Sequence, residues 1–455
     1  PLRSSQRDHA HPLVIAGGPC TLNPEPMHDF FDAFVIDEAE EAVQEITALY
    51  QKHRLAYKQG ALSKEDLLIM LTQIEGIYVP SLYDVSYTDS GAVKSFVARR
   101  PGIPHSINKR IVADLDKAFY PTAWLVPYLQ TVHDRVALEI MRGCPNRCRF
   151  CQARVQYFPF RQRKIETVLQ LAQKAYEASG YEEISLLGLS VSDYPCVESL
   201  VEQMVRLFVK KGVSVSLPSI RPMVKVAQVS SILARIKKTG LTFAPEAATD
   251  ELRRTLGKNF DNSHFFAMLP QLFDAGYQRI KLYFMIGLPQ ERLEDLDAMV
   301  DFAFKVSQMR KRPGRGPAEV AMSVNTLIPK PHTPFQWLGL DQISLLQQKQ
   351  AYLRDKIKRS RCLTLSFHNL EMSIIEAVLS RGDRRLSAVI EQAFRSEARF
   401  DAWEDHFSFS TWQEAFHHCG ISYNTYLDAR QRDEILPWDF INMGVSRSNL
   451  ASEAP

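Results

Sequence analysis

No run of about 18 apolar residues occurs in this 455-residue chain, which excludes a helical membrane span. Neither sign of charge dominates. Lys plus Arg number 55 against 52 Asp plus Glu, a net of +3, so the chain as a whole lacks a nucleic-acid footprint and only local patches could supply one. No apolar secretory region opens the sequence, and internal repeats and low-complexity tracts are missing. Disorder as the main state is excluded as well. A hydrophobic fraction of 45% and a charged fraction of 24% are those of an ordinary globular chain. At about 150 residues per domain the length suggests roughly three domains, or two with one large, enough to bury a core without staples. The sequence begins at Pro1 rather than Met, and further sequence is expected upstream.

A disulfide framework is absent too. There are seven cysteines, and three of them crowd together at Cys144, Cys148 and Cys151. Such a cluster in an intracellular enzyme reads as metal binding or catalysis. The isolated Cys20, Cys196, Cys362 and Cys419 are expected to be buried small hydrophobes.

PLVIAGGP (12–19) and FDAFVI (31–36) read as short buried strands, followed by a helical pattern over 38–51. Two strands and a helix are too few to close a sheet, so 1–79 is expected to be a fragment of an α/β domain. VSYTDSGAVKSFVAR (85–99) is a hairpin signal, and a Pro-rich connector follows to 134. Its basic residues Lys94, Arg99, Arg100, Lys109 and Arg110 are expected on a solvated face.

From 135 to 335 strands and helices alternate. The strand candidates are VALEIM (136–141), EISLLGL (183–189), VSVSLPS (213–219), LTFAPE (241–246), RIKLYFMIG (279–287) and VAMSVNTLI (320–328). Six β/α units imply a parallel sheet with ligand sites at the C-terminal strand ends, where Gly143, Gly188, Glu246 and Gly287 fall. The segment 336–455 is predicted to be mostly helical, with one strand candidate at LTLSFH (363–368). RGDRR (381–385) and the run Arg354, Lys356, Lys358, Arg359, Arg361 are expected on solvated helix faces. Core packing accounts for the aromatics Trp403, Phe407, Phe409, Trp412 and Phe416.

RGCPNRCRFCQA (142–153) carries the chemistry. Its C-x3-C-x2-C spacing directly follows a strand. Thiolates are the usual ligands of a four-iron cluster, and three on one loop leave one iron open for substrate. Arg142, Arg147 and Arg149 are expected to offset the thiolate charge. The competing reading is a structural zinc site, which wants a fourth Cys or His in a companion pair. His133 is the nearest candidate, and His417-His418 lacks the spacing.

Cys144, Cys148, Phe150 and Cys151 resemble the C-x3-C-x-aromatic-C signature of the radical S-adenosylmethionine (radical SAM) enzymes. The resemblance implies a partial (β/α)6 TIM-like barrel over 135–335. It also implies a [4Fe–4S] cluster on the three cysteines, with S-adenosylmethionine chelating the fourth iron. One electron would then release methionine and a 5′-deoxyadenosyl radical that abstracts hydrogen. Further implied cofactor contacts are Phe150 on adenine, Gly188 and Ser190 on the methionine moiety, Glu246 on ribose, and Ile286, Gly287 and Pro289 along adenine. Bland readings stand beside two of these. Glu246 also suits a helix N-terminus, and Gly287 with Pro289 suits an ordinary strand-to-helix turn. KPHTPFQW (330–337) resembles the sixth-strand ending of several subfamilies.

The whole chain is similar to a radical SAM subfamily with a cobalamin-binding-like N-terminal domain, carried by PLVIAGGPCTLNPEP (12–26), MSIIEAVLSRGDRR (372–385) and LPWDFINMGVS (436–446). Residues 1–79 would be a remnant of that domain. Two departures stand out. The acidic-Gly-Glu turn reads Asp37-Glu38-Ala39-Glu40, and the Asp-x-His-x-x-Gly motif for cobalamin's lower histidine is missing, so cobalamin has no motif to support it.

The expected function is a radical SAM enzyme served by a reductant protein such as flavodoxin or ferredoxin, in the reducing cytoplasm and away from membranes. The alternatives are a cobalamin-assisted methyltransferase, or a non-enzymatic iron–sulfur or zinc scaffold. RNA, peptide and small molecule remain open as substrates, and no hydrogen-relaying catalytic side chain can be named.

Overall fold

The computed structural model describes residues 1–129, 131–217 and 241–455; the last two residues of the strand candidate 213–219 lie outside them. Seven parallel strands form the central architecture: β1 (Val136–Glu139), β2 (Glu183–Leu187), β3 (Ser214–Ser216), β4 (Leu241–Glu246), β5 (Arg279–Ile286), β6 (Glu319–Thr326) and β7 (Leu363–Phe367). They pair in two arcs, β3-β2-β1 and β4-β5-β6-β7. Each of the six predicted strands is present. The lone strand candidate of the C-terminal region is β7, in register with β6 from Val320↔Leu363 to Val324↔Phe367.

Strand alternation explains why the sheet curls. Val136, Leu138, Ile184, Leu186, Val215, Phe243, Leu282, Phe284, Met322 and Val324 are buried in one core with the helices outside the sheet. The alternate positions, among them Ser185, Thr242, Tyr283, Ser323 and Thr364, are largely polar and occupy the other face. A parallel sheet covered by helices on both faces would be apolar throughout. One apolar and one polar face instead suit a partial barrel with a polar lumen. The helix Ile165–Ser179 packs as its pattern predicts, burying Val168, Ala172 and Ala175, and ends on Gly180 in the left-handed region.

The N-terminal unit has strands Ile15–Ala16, Ala33–Val35 and Ile77–Tyr78, the first pair parallel and the second antiparallel. Its helices are Ala42–Lys58 and Lys64–Leu71. Such a small sheet finds the rest of its core elsewhere in the chain. The predicted hairpin forms from Tyr83–Tyr87 and Val93–Ala98 and lays Phe96 on Phe440, with ring centroids 4.1 Å apart. Tyr78 meets Phe440 at 4.7 Å, and the strand Ile441–Asn442 pairs with Ile107–Asn108. Among the described residues no helix is long and apolar enough to cross a membrane.

Three expectations are corrected. The isolated cysteines are not core residues: Cys20 and Cys196 are exposed, and Cys362 and Cys419 are half-buried. Cys20 follows the surface Gly-Gly-Pro turn, and Cys196 caps a helix at φ 62°. Lys109 is not solvated but buried against Asp37 at 3.1 Å, and its neighbour Arg110 is half-buried between Glu41 and Glu45 at 2.6 and 2.7 Å. Nor is RGDRR a solvated face. Arg381 is fully buried and donates to the carbonyls of Tyr426, Pro329, Gln336 and Asp428. Arg384 reaches Glu25 at 2.6 Å, and Arg385 pairs with Asp383. The run 354–361 does lie on a solvated face. Trp412 and Phe416 are core residues, while Trp403 is exposed.

Candidate metal and cofactor centre

Gly143, at φ 88°, turns the chain out of the barrel and into the cysteine loop. A Cβ there would stand 2.5 Å from the Tyr157 carbonyl oxygen, so only glycine lets the loop fold back this closely. Cys148 is buried and Cys144 and Cys151 are half-buried. The Cys151 N–H donates to the Cys148 carbonyl at 3.2 Å, closing the turn between the last two thiols.

The loop is tied to both arcs of the barrel. On one side the Asn146 amide donates to Cys144 Sγ at 3.3 Å and to Asp193 Oδ2 at 2.6 Å. Asp193 Oδ2 also accepts from the Ser190 hydroxyl at 2.6 Å, so the segment after β2 is joined to the first cysteine. On the other side the Arg149 N–H donates to the Leu256 carbonyl at 2.8 Å. Phe150 packs against an apolar group that includes Ala247, Met285, Leu288 and Leu327, at the ends of β4, β5 and β6. Lys258 pairs with Glu246 at 3.1 Å and lies 6.0 Å from the Phe150 ring centroid. Gly257, at φ 61°, admits the loop, since a Cβ would stand 2.7 Å from the Arg147 carbonyl oxygen.

The remaining predicted contacts sit at the same strand ends. Gly188 follows β2, where a Cβ would stand 2.6 Å from the Met141 side chain, so any larger residue there would have to displace Met141. Glu246 ends β4 at an irregularity of the β4–β5 register and adopts φ 64°. The Ile286 side chain is buried in the outer core, leaving only its backbone toward the barrel mouth. Gly287, at φ 78°, gives its N–H to Glu291 at 2.9 Å, and Glu291 pairs with Lys349 at 2.6 Å. Pro289 is half-buried in the same turn. Asn146, Asp193 and Lys258 escaped the sequence reading. Asn146 lies inside the cysteine motif, whereas the other two carry no local signal.

The expected charge balance needs correction. Arg142 does not face the thiols. It pairs with Glu139, Glu40 and Glu38 at 2.9, 2.7 and 3.1 Å. Glu38 is also gripped by Arg161 at 2.6 Å and accepts from the Val112 N–H. Burial opposes its charge, but Arg161, the Val112 N–H and Arg142 together hold it below the ordinary carboxylate range. The acidic turn 37–40 thus clamps the strand leading into the cysteine loop. Asp37 completes the clamp through Lys109, which also donates to the Val155 and Gln156 carbonyls at the end of the helix Gln152–Gln156.

Burial pushes the Cys151 thiol up, the Arg154 N–H works against this, and the neighbouring Cys144 raises it further. Among the described residues no three Cys, His, Asp or Glu side chains are grouped to hold one metal ion. A cubane spreads its thiolates over separate irons, farther apart than the ligands of a single ion. Three buried or half-buried thiols on one short loop, with an amide donor on one sulfur, fit such a cluster.

The family profile "Radical SAM proteins, N-terminal" matches residues 1–80, and "Radical SAM superfamily" matches 138–303. An uncharacterized protein of Methanocaldococcus jannaschii is 26% identical over 86% of this chain and 76% of its own length. The ribosomal protein uS12 methylthiotransferase RimO of Elusimicrobium minutum is 28% identical over 38% of this chain and 40% of its own. The radical S-adenosylmethionine methyltransferase TsrM of Kitasatospora setae, solved with cobalamin and a [4Fe-4S] cluster bound, is 14% identical. That match covers 68% of this chain and 56% of TsrM, with a TM-score of 0.47. The chain therefore spans less than two thirds of both enzymes named. It belongs to the radical SAM superfamily, enzymes that work with a [4Fe–4S] cluster and S-adenosylmethionine.

Proposed function

We propose that Cys144, Cys148 and Cys151 hold a [4Fe–4S] cluster whose fourth iron takes S-adenosylmethionine. When bound, that pair supplies one-electron cleavage of the sulfonium to methionine and a 5′-deoxyadenosyl radical. The observation that carries this reading is a three-thiol loop after β1, fastened to the segments after β2 and β4.

The chain's own residues then divide the work. Asn146 orients the first thiol and polarises its sulfur. Phe150 offers the loop backbone and an apolar ring to adenine, beside the ends of β4 and β5. Gly188 and Ser190 face the methionine portion, Ser190 being oriented by Asp193. Glu246, neutralised by Lys258, is the candidate for ribose. The backbone at Ile286, Gly287 and Pro289 lines adenine, with Glu291 fixing the turn.

The reactions named for relatives are not carried over. A second cluster of the methylthiotransferase kind would need three more grouped cysteines, and Cys20, Cys196, Cys362 and Cys419 are scattered along the sequence with no such spacing. An oxygen-labile cluster calls for a reducing compartment, so we assign the enzyme to the cytoplasm. The test is anaerobic reconstitution with iron and sulfide, reduction, and assay of 5′-deoxyadenosine. Product should form and vanish in Cys144→Ala, Cys148→Ala and Cys151→Ala. Purification with zinc and no iron, or product surviving in these variants, would overturn the reading.

A further inference from the structure

The foot of the barrel, at the strand ends opposite the cysteine loop, holds a hollow of about 370 Å³. One row of the sheet forms its wall. Thr242 of β4, Lys281 of β5, Ala321 of β6 and Thr364 of β7 stand side by side in register. Their chain neighbours point into the outer core, so all four project from the polar face. Arg279, Glu319 and Arg361 complete the rim.

Charge and space point to one kind of ligand. Arg279 is neutralised by Glu319 at 2.7 Å. Lys281 and Arg361 are exposed into the hollow and have no carboxylate partner among the described residues. Positions 130 and 218–240 contain no Asp or Glu that could supply one. Lys281 instead lies 4.7 Å from the Tyr283 ring centroid. The hollow thus carries two uncompensated positive charges, and the Thr242 and Thr364 hydroxyls add two more donors. Lys281 and Thr364 are two strands apart, about 10 Å at the usual strand spacing, with only the small Ala321 side chain between them. A phosphomonoester brings a charge of about −1.5 to −2 and three acceptor oxygens. A carboxylate brings one charge and two oxygens, and would leave half of the donor set unused.

We infer that this hollow binds a phosphoryl group over Ala321, held by Lys281, Arg361, Thr242 and Thr364. Lys281 lies five residues before Ile286 on β5, about 16 Å along the strand. The phosphoryl group is therefore remote from the cysteine loop, and it belongs to a handle of the substrate or to a separate effector. No bond forms or breaks here. The inference stands apart from the function proposed above, because binding is read without turnover.

The test is calorimetric titration of the chain with inorganic phosphate at fixed ionic strength. Wild-type protein should bind one phosphate, and Lys281→Gln and Arg361→Gln should each weaken binding about tenfold. Ala321→Leu fills the floor without changing any charge and should weaken binding as much. Arg361 is exposed and precedes β7, so its variant keeps the fold even where Ala321→Leu does not. Lys52→Gln, which removes an exposed charge from the helix Ala42–Lys58, should change nothing. Absence of saturable binding, equal affinity for acetate, or an equal loss in Lys52→Gln would overturn the inference. In the reconstituted enzyme, phosphate that alters substrate-free 5′-deoxyadenosine formation in wild-type protein but not in Lys281→Gln would assign the site to an effector. A rate indifferent to phosphate would assign it to the substrate. Failure to form 5′-deoxyadenosine at all would count against the proposed function, while the titration still decides the phosphate site.

Discussion

Arg142, two residues before the first cysteine, is ion-paired with Glu38 of the N-terminal unit at 3.1 Å. The two side chains are nearly buried, and Arg161 grips the same carboxylate. The N-terminal unit thereby sets the strand that launches the cysteine loop.

Removing Glu38 leaves two buried guanidinium groups short of a partner. Breaking a buried pair from one side costs about 3–5 kcal/mol. Arg142 keeps Glu40 and Glu139, so Glu38→Ala should fall at the low end, about 3 kcal/mol by urea unfolding. Iron bound per chain after reconstitution should drop with it. Glu38→Ala with unchanged iron content would mean the clamp serves stability alone.

Gly257 tests the other fastening of the loop. Alanine there meets both a left-handed backbone and the Arg147 carbonyl oxygen at 2.7 Å. Gly257→Ala should cost about 2 kcal/mol and lower iron loading, with the far-ultraviolet circular dichroism unchanged.

Asn146→Ala removes the donor to Cys144 Sγ. Fewer hydrogen bonds to the sulfurs leave the reduced, more negative cluster less stabilised, so the midpoint potential should move down. Redox titration followed by electron paramagnetic resonance reads the direction. An unchanged potential would show that the amide serves Asp193 instead.

His332 is fully buried, with its ring Nε2 2.9 Å from the Leu22 carbonyl oxygen, and burial pushes its pKa down to about 4. Its folded pKa lies below the unfolded value of about 6.5, so the unfolded chain binds more protons between those values. Its contribution is fully present above pH 6.5 and is lost as pH falls toward 4. At 1.36 kcal/mol per pKa unit the loss is about 3 kcal/mol. His28, half-buried and pushed down to about 4 by burial and by the Arg384 charge, adds a similar slope. His332→Gln should therefore remove about one proton, not two, from the pH dependence of unfolding over this window.

Arg381 gives its guanidinium to four carbonyls and, among the described residues, to no carboxylate. Arg381→Met orphans those oxygens and should lower stability by about 3 kcal/mol in chemical denaturation. Lysine has fewer donors and no planar fork, so Arg381→Lys should recover only part of the loss.

Much was legible in one dimension because it is local. Eight residues carry all three thiols, and the period of two along β1–β7 states which face is buried, since both depend only on spacing along the chain. The six strands and the hairpin followed from the same rule. What a charged side chain pairs with is another matter. Arg142 reads as a cation for the thiolates until Glu38, 104 positions earlier, is folded against it. Arg384 reads as a solvated residue until Glu25 is beside it, and Lys109 until Asp37 is. Phe440 completes a core begun more than 350 residues upstream by Phe34 and Tyr78. Periodicity carries no information about such long-range partners, because desolvation and pairing energies depend on which surfaces meet. The chemistry of the centre was therefore set by the sequence of one loop, and its clamps, charge balance and accessible face by the tertiary fold.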